Sequence, residues 1–249
     1  MRNYATANHP GGRPRQCDAT AVHTAPTGAR AYVLLDGIGR EQSVRDWTRT
    51  AARRLARAAA HRADAEAGLR RIYNGYAANP DRQGPWGYGP KACALVAVTA
   101  PGKPLTVAWS GDVRAYLLTN GVLRRLTQDH NLRRVYPPND MYPEGGNRNV
   151  VTSCLGSANT DQDVKNLHGH AAIESTPVHV VPSRLLLASD GAYEPHEDAG
   201  HHLSNYLIGT PAEAATDFVQ TAISRANAAH PDRPDWTDNA TALVADLTP

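Results

Sequence analysis

Between Lys91 and Thr127 the chain carries four short apolar runs, "ACALVAVT", "LTVAWSG", "RAYLLT" and "VLRRLT", broken only by "APGKP", "GDV" and "NG". Breaks this short join antiparallel neighbours, because parallel strands need a crossover of roughly a dozen residues or more. Asn120-Gly121 supplies the left-handed backbone that a tight hairpin requires. The stretch predicts an antiparallel meander.

The flanks add helices. From Ser43, read as an N-cap, apolar residues recur at helical spacing without a proline as far as Asn79, which predicts one long helix or two joined near Arg62 to Asp64. "NPDRQGPWGYGP" stops it. Strands are expected earlier at "ATAVH" and "AYVLL" and later at "HVV", "RLLLAS" and "ATALVADL", with helices at "LSNYLI" and "PAEAATDFVQTAISRANAA". Proline, glycine and asparagine crowd residues 130–150, which read as an exposed flap. No alternating βαβ series and no glycine-rich dinucleotide fingerprint is seen. The pattern implies an α+β class, with two sheets packed together and helices outside, and argues against a Rossmann arrangement. Residues 1–16 are rich in Gly, Pro and Arg and are expected to be loose, with 1–11 a flexible arm and 12–249 one domain.

Composition narrows the partners. A chain of 249 residues can bury a substantial core as a single domain. Its net charge of +2 is small and its basic residues are interspersed with acids, so neither a nucleic-acid stripe nor a membrane-binding basic helix is expected. Cys17, Cys93 and Cys154 are odd in number, widely separated and outside any metal spacing, which fits reduced thiols. With no signal-peptide core and no membrane-length apolar run, a cytoplasmic protein is expected. Only Lys91, Lys103 and Lys165 are lysine, a bias that fits a GC-rich bacterial genome.

Within this frame the acids stand out. "RLLLASDGAY" delivers Asp190 to the end of an apolar run, "AYVLLDGIG" delivers Asp36 and Gly37, "TVAWSGD" delivers Asp112, and "DWTDNATALVADL" places Asp238 just before the last strand. Carboxylates gathered at one place repel one another unless a cation neutralises them. Magnesium and manganese prefer such oxygen donors. Asp36 is placed to bridge two ions, the Gly37 carbonyl to add an oxygen, and Asp190 with Asp238 to complete one shell. Two such ions can share and activate a water for in-line attack on phosphorus.

Taken together, "GGRPRQCDA", "LLDGIG", "ALVAVT" followed by "WSGDVRAYLLTNGVLRRLTQDHNL", "NVVTSCLG", "LLLASDGAYE" and "TDNATALVADL" resemble the metal-dependent serine/threonine protein phosphatases of type 2C, in a compact bacterial version of actinobacterial character. The resemblance runs from about Gly12 to Leu247. It implies a four-layer α-β-β-α sandwich with two central antiparallel sheets and the metals at one sheet edge. It implies Mn2+ or Mg2+ as cofactor, a phosphorylated protein as substrate and a cognate Ser/Thr kinase as partner. By position, Asp36 resembles the bridging ligand, Gly37 the carbonyl ligand, and Asp190 and Asp238 the ligands of the first ion. Asp112 resembles the acid of a third, weaker ion, and Arg13, five residues before Asp18, the arginine that grips the phosphate. One departure is visible: many members carry glutamate where this chain has Cys17, leaving Asp18 and water to support the second ion.

Plainer readings compete at several positions. Each Asp-Gly pair also makes a turn, "GDVR" especially, and Arg15 competes with Arg13. His130, in "DHN", reads as structural or solvent-facing, and His201 and His202 as surface residues without a third ligand. Cys93 and Cys154 read as small core residues, leaving Cys17 as the thiol whose reactivity is of interest. The expected function is hydrolysis of phosphoserine and phosphothreonine by metal-activated water; the rival is a catalytically weak phosphatase-like module that binds phosphoproteins or a signalling partner.

Overall fold

The computed structural model describes residues 3–84, 87–179 and 181–248. Trp86, in the expected helix stop, and Val180, in the strand expected at "HVV", lie outside the described residues. In chain order the elements are strands β1 (Tyr4–His9), β2 (Ala19–Thr24) and β3 (Arg30–Ile38), helices α1 (Gln42–Arg62) and α2 (Ala65–Ala77), and strands β4 (Lys91–Thr99), β5 (Leu105–Ser110), β6 (Arg114–Thr119) and β7 (Val122–Arg125). Then come α3 (Leu132–Val135), α4 (Asp161–His168), β8 (Glu174–Val178), β9 (Ser183–Ala188), α5 (Asp190–Asp198), α6 (Pro211–Ala229) and β10 (Ala240–Leu247).

The strands form two antiparallel sheets of five, ordered β1-β10-β9-β6-β7 and β2-β3-β4-β5-β8. Their alternation builds four layers. Tyr32 and Leu34 of β3 and Leu185 and Leu187 of β9 point into the gap between the sheets, where they meet Leu95, Val107 and Leu243. The residues between them point outward: Ala31, Val33 and Leu35 pack on Leu55 and Leu69 of the α1–α2 layer, and Leu186 and Ala188 pack on Phe218 and Val219 of α6. Period-two sequence with apolar residues on both faces is what a sheet covered on both sides needs. The α+β, α-β-β-α architecture expected from the sequence is therefore the one observed.

Four expectations need correction. Residues 4–9 are not a loose arm: β1 pairs with β10 along its whole length, and Tyr4 stacks edge-on against Tyr32 with ring centroids 5.9 Å apart. The meander is also split. β4 and β5 pair in one sheet and β6 and β7 in the other, so "GDV" is a crossing between sheets rather than a hairpin. Local pattern cannot distinguish these, because both place consecutive strands antiparallel. Asn120 and Gly121, at φ 51° and 79°, do make the expected hairpin turn. The strand sought at "HVV" lies earlier, at Glu174–Val178. Finally, "LSNYLI" yields only a short 3-10 turn, whereas the unexpected helix α5 begins at Asp190 and runs through Pro195. The two joined helices occur, but α1 starts at Gln42 with Glu41 rather than Ser43 at its N-cap; it ends at Ala63 in the left-handed region, and α2 is capped by Asp64.

Candidate functional site

The acids converge on one edge of the sandwich. Asp36 follows Leu34 on the inward-facing side of β3, opposite Cys93 of β4 in the register. Asp190 follows β9, Asp238 precedes β10, and these two strands are direct neighbours. Asp112 arrives from the crossing between sheets. A cleft of about 730 Å³ is lined by Asp36, Gly37, Asp112, Asp190 and Asp238, together with Arg13, Cys93, Arg148 and Glu194. Asp18 sits behind it, buried at the start of β2.

Close backbone packing holds this edge. A Cβ on Gly37 would lie 2.5 Å from the Cys17 carbonyl oxygen, and one on Gly191 would lie 2.3 Å from that of Asn239, so both positions need glycine. Asn239 anchors the incoming N-terminal segment: its Oδ1 accepts from the Cys17 N–H at 2.7 Å, and its Nδ2 donates to the carbonyls of Pro10 at 2.9 Å and Arg15 at 3.0 Å. Those bonds fix the stretch that presents Arg13, whose Nη2 donates to Asp238 Oδ2 at 2.7 Å. Arg15 instead donates to Gln42 Oε1 at 3.1 Å, away from the cleft lining. Of the two arginines weighed from sequence, Arg13 is the one in the cleft.

Asp112 is held from behind. The Tyr193 hydroxyl donates to its carbonyl at 3.0 Å, and the Gly111 N–H donates to His130 Nδ1 at 3.3 Å while the His130 N–H returns a bond to the Gly111 carbonyl. His130 is fully buried, and with Nδ1 accepting, its Nε2–H faces Glu174 at 3.2 Å. Burial lowers its pKa, so it is a neutral structural group, in line with the structural half of its sequence reading. His201 and His202 are exposed.

The electrostatics follow from burial and crowding. Asp36 is raised well above the usual carboxylate range, first by desolvation and then by the charges of Asp18, Asp190, Asp238 and Asp112. Desolvation pushes Asp18 and Asp112 up to about 7, and Asp190 also rises. Neither carboxylate oxygen of Asp18 has a hydrogen-bond partner, although the Thr241 and Ser189 hydroxyls are close enough to temper its shift. Among the described residues no three His, Cys, Asp or Glu groups are already drawn into a metal cage. Asp238 is turned to Arg13 and Asp190 accepts from the Gly191 N–H at 2.6 Å. The donor set, oxygen-rich, crowded and with orphaned buried oxygens, fits a hard divalent cation.

Cys17 stands apart. It is 1 % exposed, its Sγ lies 3.9 Å from the Glu41 carbonyl oxygen, and burial pushes its thiol pKa up, so it is a packed residue rather than a reactive one. Cys93, expected only in the core, also forms part of the cleft floor.

Sequence reasoning missed the far wall. Arg148 of the flap pairs with Glu194 at 3.1 Å and Asp198 at 2.6 Å on α5, tying the flap to the cleft. Burial and the nearby Asp190 push Glu194 up to about 8. Pro195 in "YEPHED" hid the helix that brings these acids together; the four-residue spacing of Asp190, Glu194 and Asp198 was the signal available.

The protein phosphatase 2C family model matches residues 41–135, from the start of α1 through the sheet crossing and into the flap. Over that stretch the chain is similar to the protein phosphatase 2C family. Solved structures share the fold of this chain along nearly its whole length. A bacterial serine phosphatase aligns at TM-score 0.69 and 17% identity, covering 99% of this chain and 98% of its own. The Mycobacterium tuberculosis serine/threonine phosphatase PstP/Ppp aligns at 0.62 and 22%, covering 99% and 98%. PppA of Pseudomonas aeruginosa, described as a key regulatory component of the T6SS, aligns at 0.68 and 21%, covering 98% and 97%. Comparison with curated proteins finds no match. Among the described residues, no helix is long and apolar enough to cross a membrane.

Proposed function

We propose that this chain is a phosphatase of the type 2C family that hydrolyses phosphoserine and phosphothreonine in proteins. The observation that carries the reading is the convergence of Asp36, Asp112, Asp190 and Asp238 on one cleft, with Asp18 behind it. Asp36, the Gly37 carbonyl, Asp190 and Asp238 would hold two Mn2+ or Mg2+ ions, Asp18 would support the second, and Asp112 would serve a third. Bound there, such ions neutralise phosphoryl oxygens and generate a nucleophile from water at neutral pH.

The chain's own groups do the rest. Arg13 is the cleft arginine bonded to Asp238, and its planar guanidinium can engage two phosphoryl oxygens at once. Asn239 keeps it in place by fixing the backbone from Pro10 to Cys17. Arg148 also lines the cleft, where it offsets the charge of Glu194 and Asp198 and ties the flap to α5. No side-chain nucleophile is needed. A cytoplasmic bacterial setting, in which a Ser/Thr kinase supplies the phosphorylated protein, fits this chemistry.

The rival, a weakly catalytic phosphoprotein-binding module, draws on Cys17, which offers the second ion no oxygen and is turned toward Glu41. Turnover of an aryl phosphate and of a phosphothreonine peptide, each with manganese and again with EDTA, separates the two. Metal-dependent turnover of both substrates is expected. Phosphopeptide binding without turnover would favour the rival.

A further inference from the structure

The arginines that look dispersed along the sequence are gathered by the fold. Helix α1 buries one face against β2, β3 and β4 through Val44, Thr48, Ala51, Ala52, Leu55 and Ala59. Its opposite face exposes Arg49, Arg53 and Arg57 at four-residue intervals, which sets them about 6 Å apart in a line along the helix. Arg54 flanks the line and lies over the Tyr76 ring at 5.4 Å. Among the described residues, no ion pair, hydrogen bond or ring contact engages the guanidinium of Arg49, Arg53 or Arg57. Elsewhere Arg13, Arg70, Arg114, Arg134, Arg148 and Arg184 all have carboxylate partners. The acids next to α1 are otherwise engaged: Glu41 accepts from the Arg40 N–H and Asp46 from Gln42 Nε2 at its N-terminal end, and Asp64, just past its C-terminal end, accepts from the Ala67 N–H.

The line also has a direction. Gly37, Ile38, Gly39 and Arg40, which lead into α1, line the catalytic cleft. The basic line therefore starts near the rim of the cleft and runs outward along a helix of about 30 Å. We propose that α1 is a docking rail for an acidic segment of the phosphoprotein substrate, lying in the same polypeptide as the phosphorylated residue but separated from it. This rests on the phosphatase reading and names the substrate class: phosphoproteins with an Asp/Glu-rich tract some eight residues from the phosphosite, a distance that about 26 Å of extended chain covers. Charge complementarity and continuity with the cleft select a substrate segment. The exposed line carries no apolar side chain to enter a lipid surface, and a net charge of +2 is small for a nucleic-acid binder.

The test uses the full chain with manganese. Two phosphothreonine peptides are compared, one joined through an eight-residue Gly/Ser linker to six acidic residues and the other to six glutamines. The acidic peptide is expected to show a KM lower by about tenfold at equal kcat, since three exposed charge pairs each contribute modestly. That advantage should vanish in R49E/R53E/R57E, shrink in R49Q/R53Q/R57Q, and fade in about 0.5 M salt. Aryl phosphate turnover should be the same in all three proteins. Equal KM values for the two peptides, or a preference that survives in the glutamate variant, would overturn the proposal. Fluorescence anisotropy of the unphosphorylated acidic peptide reads docking without catalysis. A protein that binds it through α1 but hydrolyses nothing would sink the phosphatase reading and leave the rail standing. Phosphatidylglycerol vesicles or single-stranded DNA that bind the same arginines more tightly than the acidic peptide would overturn the assignment of the occupant.

Discussion

Arg13 Nη2 lies 2.7 Å from Asp238 Oδ2, so the guanidinium proposed to grip phosphate rests on a carboxylate proposed to hold metal. The two roles are therefore separable by kinetics. Arg13→Ala is expected to raise KM for aryl phosphate and phosphopeptides about tenfold or more, roughly 1.4 kcal/mol of lost binding, with a much smaller change in manganese affinity. Arg15→Ala, which loses only the bond to Gln42, should leave KM near wild type. Steady-state kinetics with calorimetric metal titration checks both, and the reverse pattern would reassign the phosphate contact to Arg15.

Replacing Asp190 or Asp238 with Asn removes one charge and almost no volume. Each variant should keep the circular-dichroism spectrum of the parent and lose turnover by two or more orders of magnitude. A wild-type rate in either one would refute its place at the centre.

Titration of the cleft gives stability a recognisable pH dependence. Asp18 and Asp112 rise to about 7 and Glu194 to about 8, against about 4 in an unfolded chain. Groups raised in this way contribute stability that is complete below the unfolded value and is lost as pH climbs through the folded one. His170, lowered to about 4 by burial, acts in the opposite sense, but its contribution is complete by about pH 7. In EDTA, Tm is therefore expected to fall between pH 6.5 and 8.5. Manganese should raise Tm more at pH 8 than at pH 6.5, because the carboxylates it binds must be ionised. A flat or rising Tm in EDTA across that window would contradict the crowded-carboxylate account.

Cys17 tests the second ion. Its Sγ faces the Glu41 carbonyl, so the position offers the cleft no hard ligand. Cys17→Glu is expected to tighten manganese binding several-fold by calorimetry and to raise activity at limiting metal, with the difference narrowing at saturation. An unchanged isotherm would mean that Asp18 already suffices.

Arg148 joins the flap to α5 through Glu194 and Asp198. Arg148→Ala should free the flap, seen as faster amide exchange across residues 132–150, and leave the half-buried Glu194 without its cation. Exchange rates matching the parent would show that the flap is held elsewhere.

How much of this was legible beforehand depends on the range of the interaction that decides each feature. The short breaks between apolar runs made the strands antiparallel, and the two-residue period in β3 and β9 put Leu34 and Asp36 on one face and Leu185 and Leu187 on another, all of it local. The aspartates could be picked out because each ends or begins a strand, and strand ends meet at sheet edges. Other features were decided between segments far apart in the chain. The "GDV" segment crosses between sheets because β6 finds its partner in β9, some 70 residues on, rather than in β5. The N-terminal stretch became a strand because β10, at the other end of the chain, left an open edge beside it. Arg148 met Glu194 and Asp198 only through the folding of the flap. On α1 the sequence showed arginines among acids, while the tertiary structure buried one face of the helix, engaged the neighbouring acids in other bonds, and left Arg49, Arg53 and Arg57 aligned and, among the described residues, unpaired. Periodicity fixes which residues share a face, but only packing between distant segments determines what that face meets.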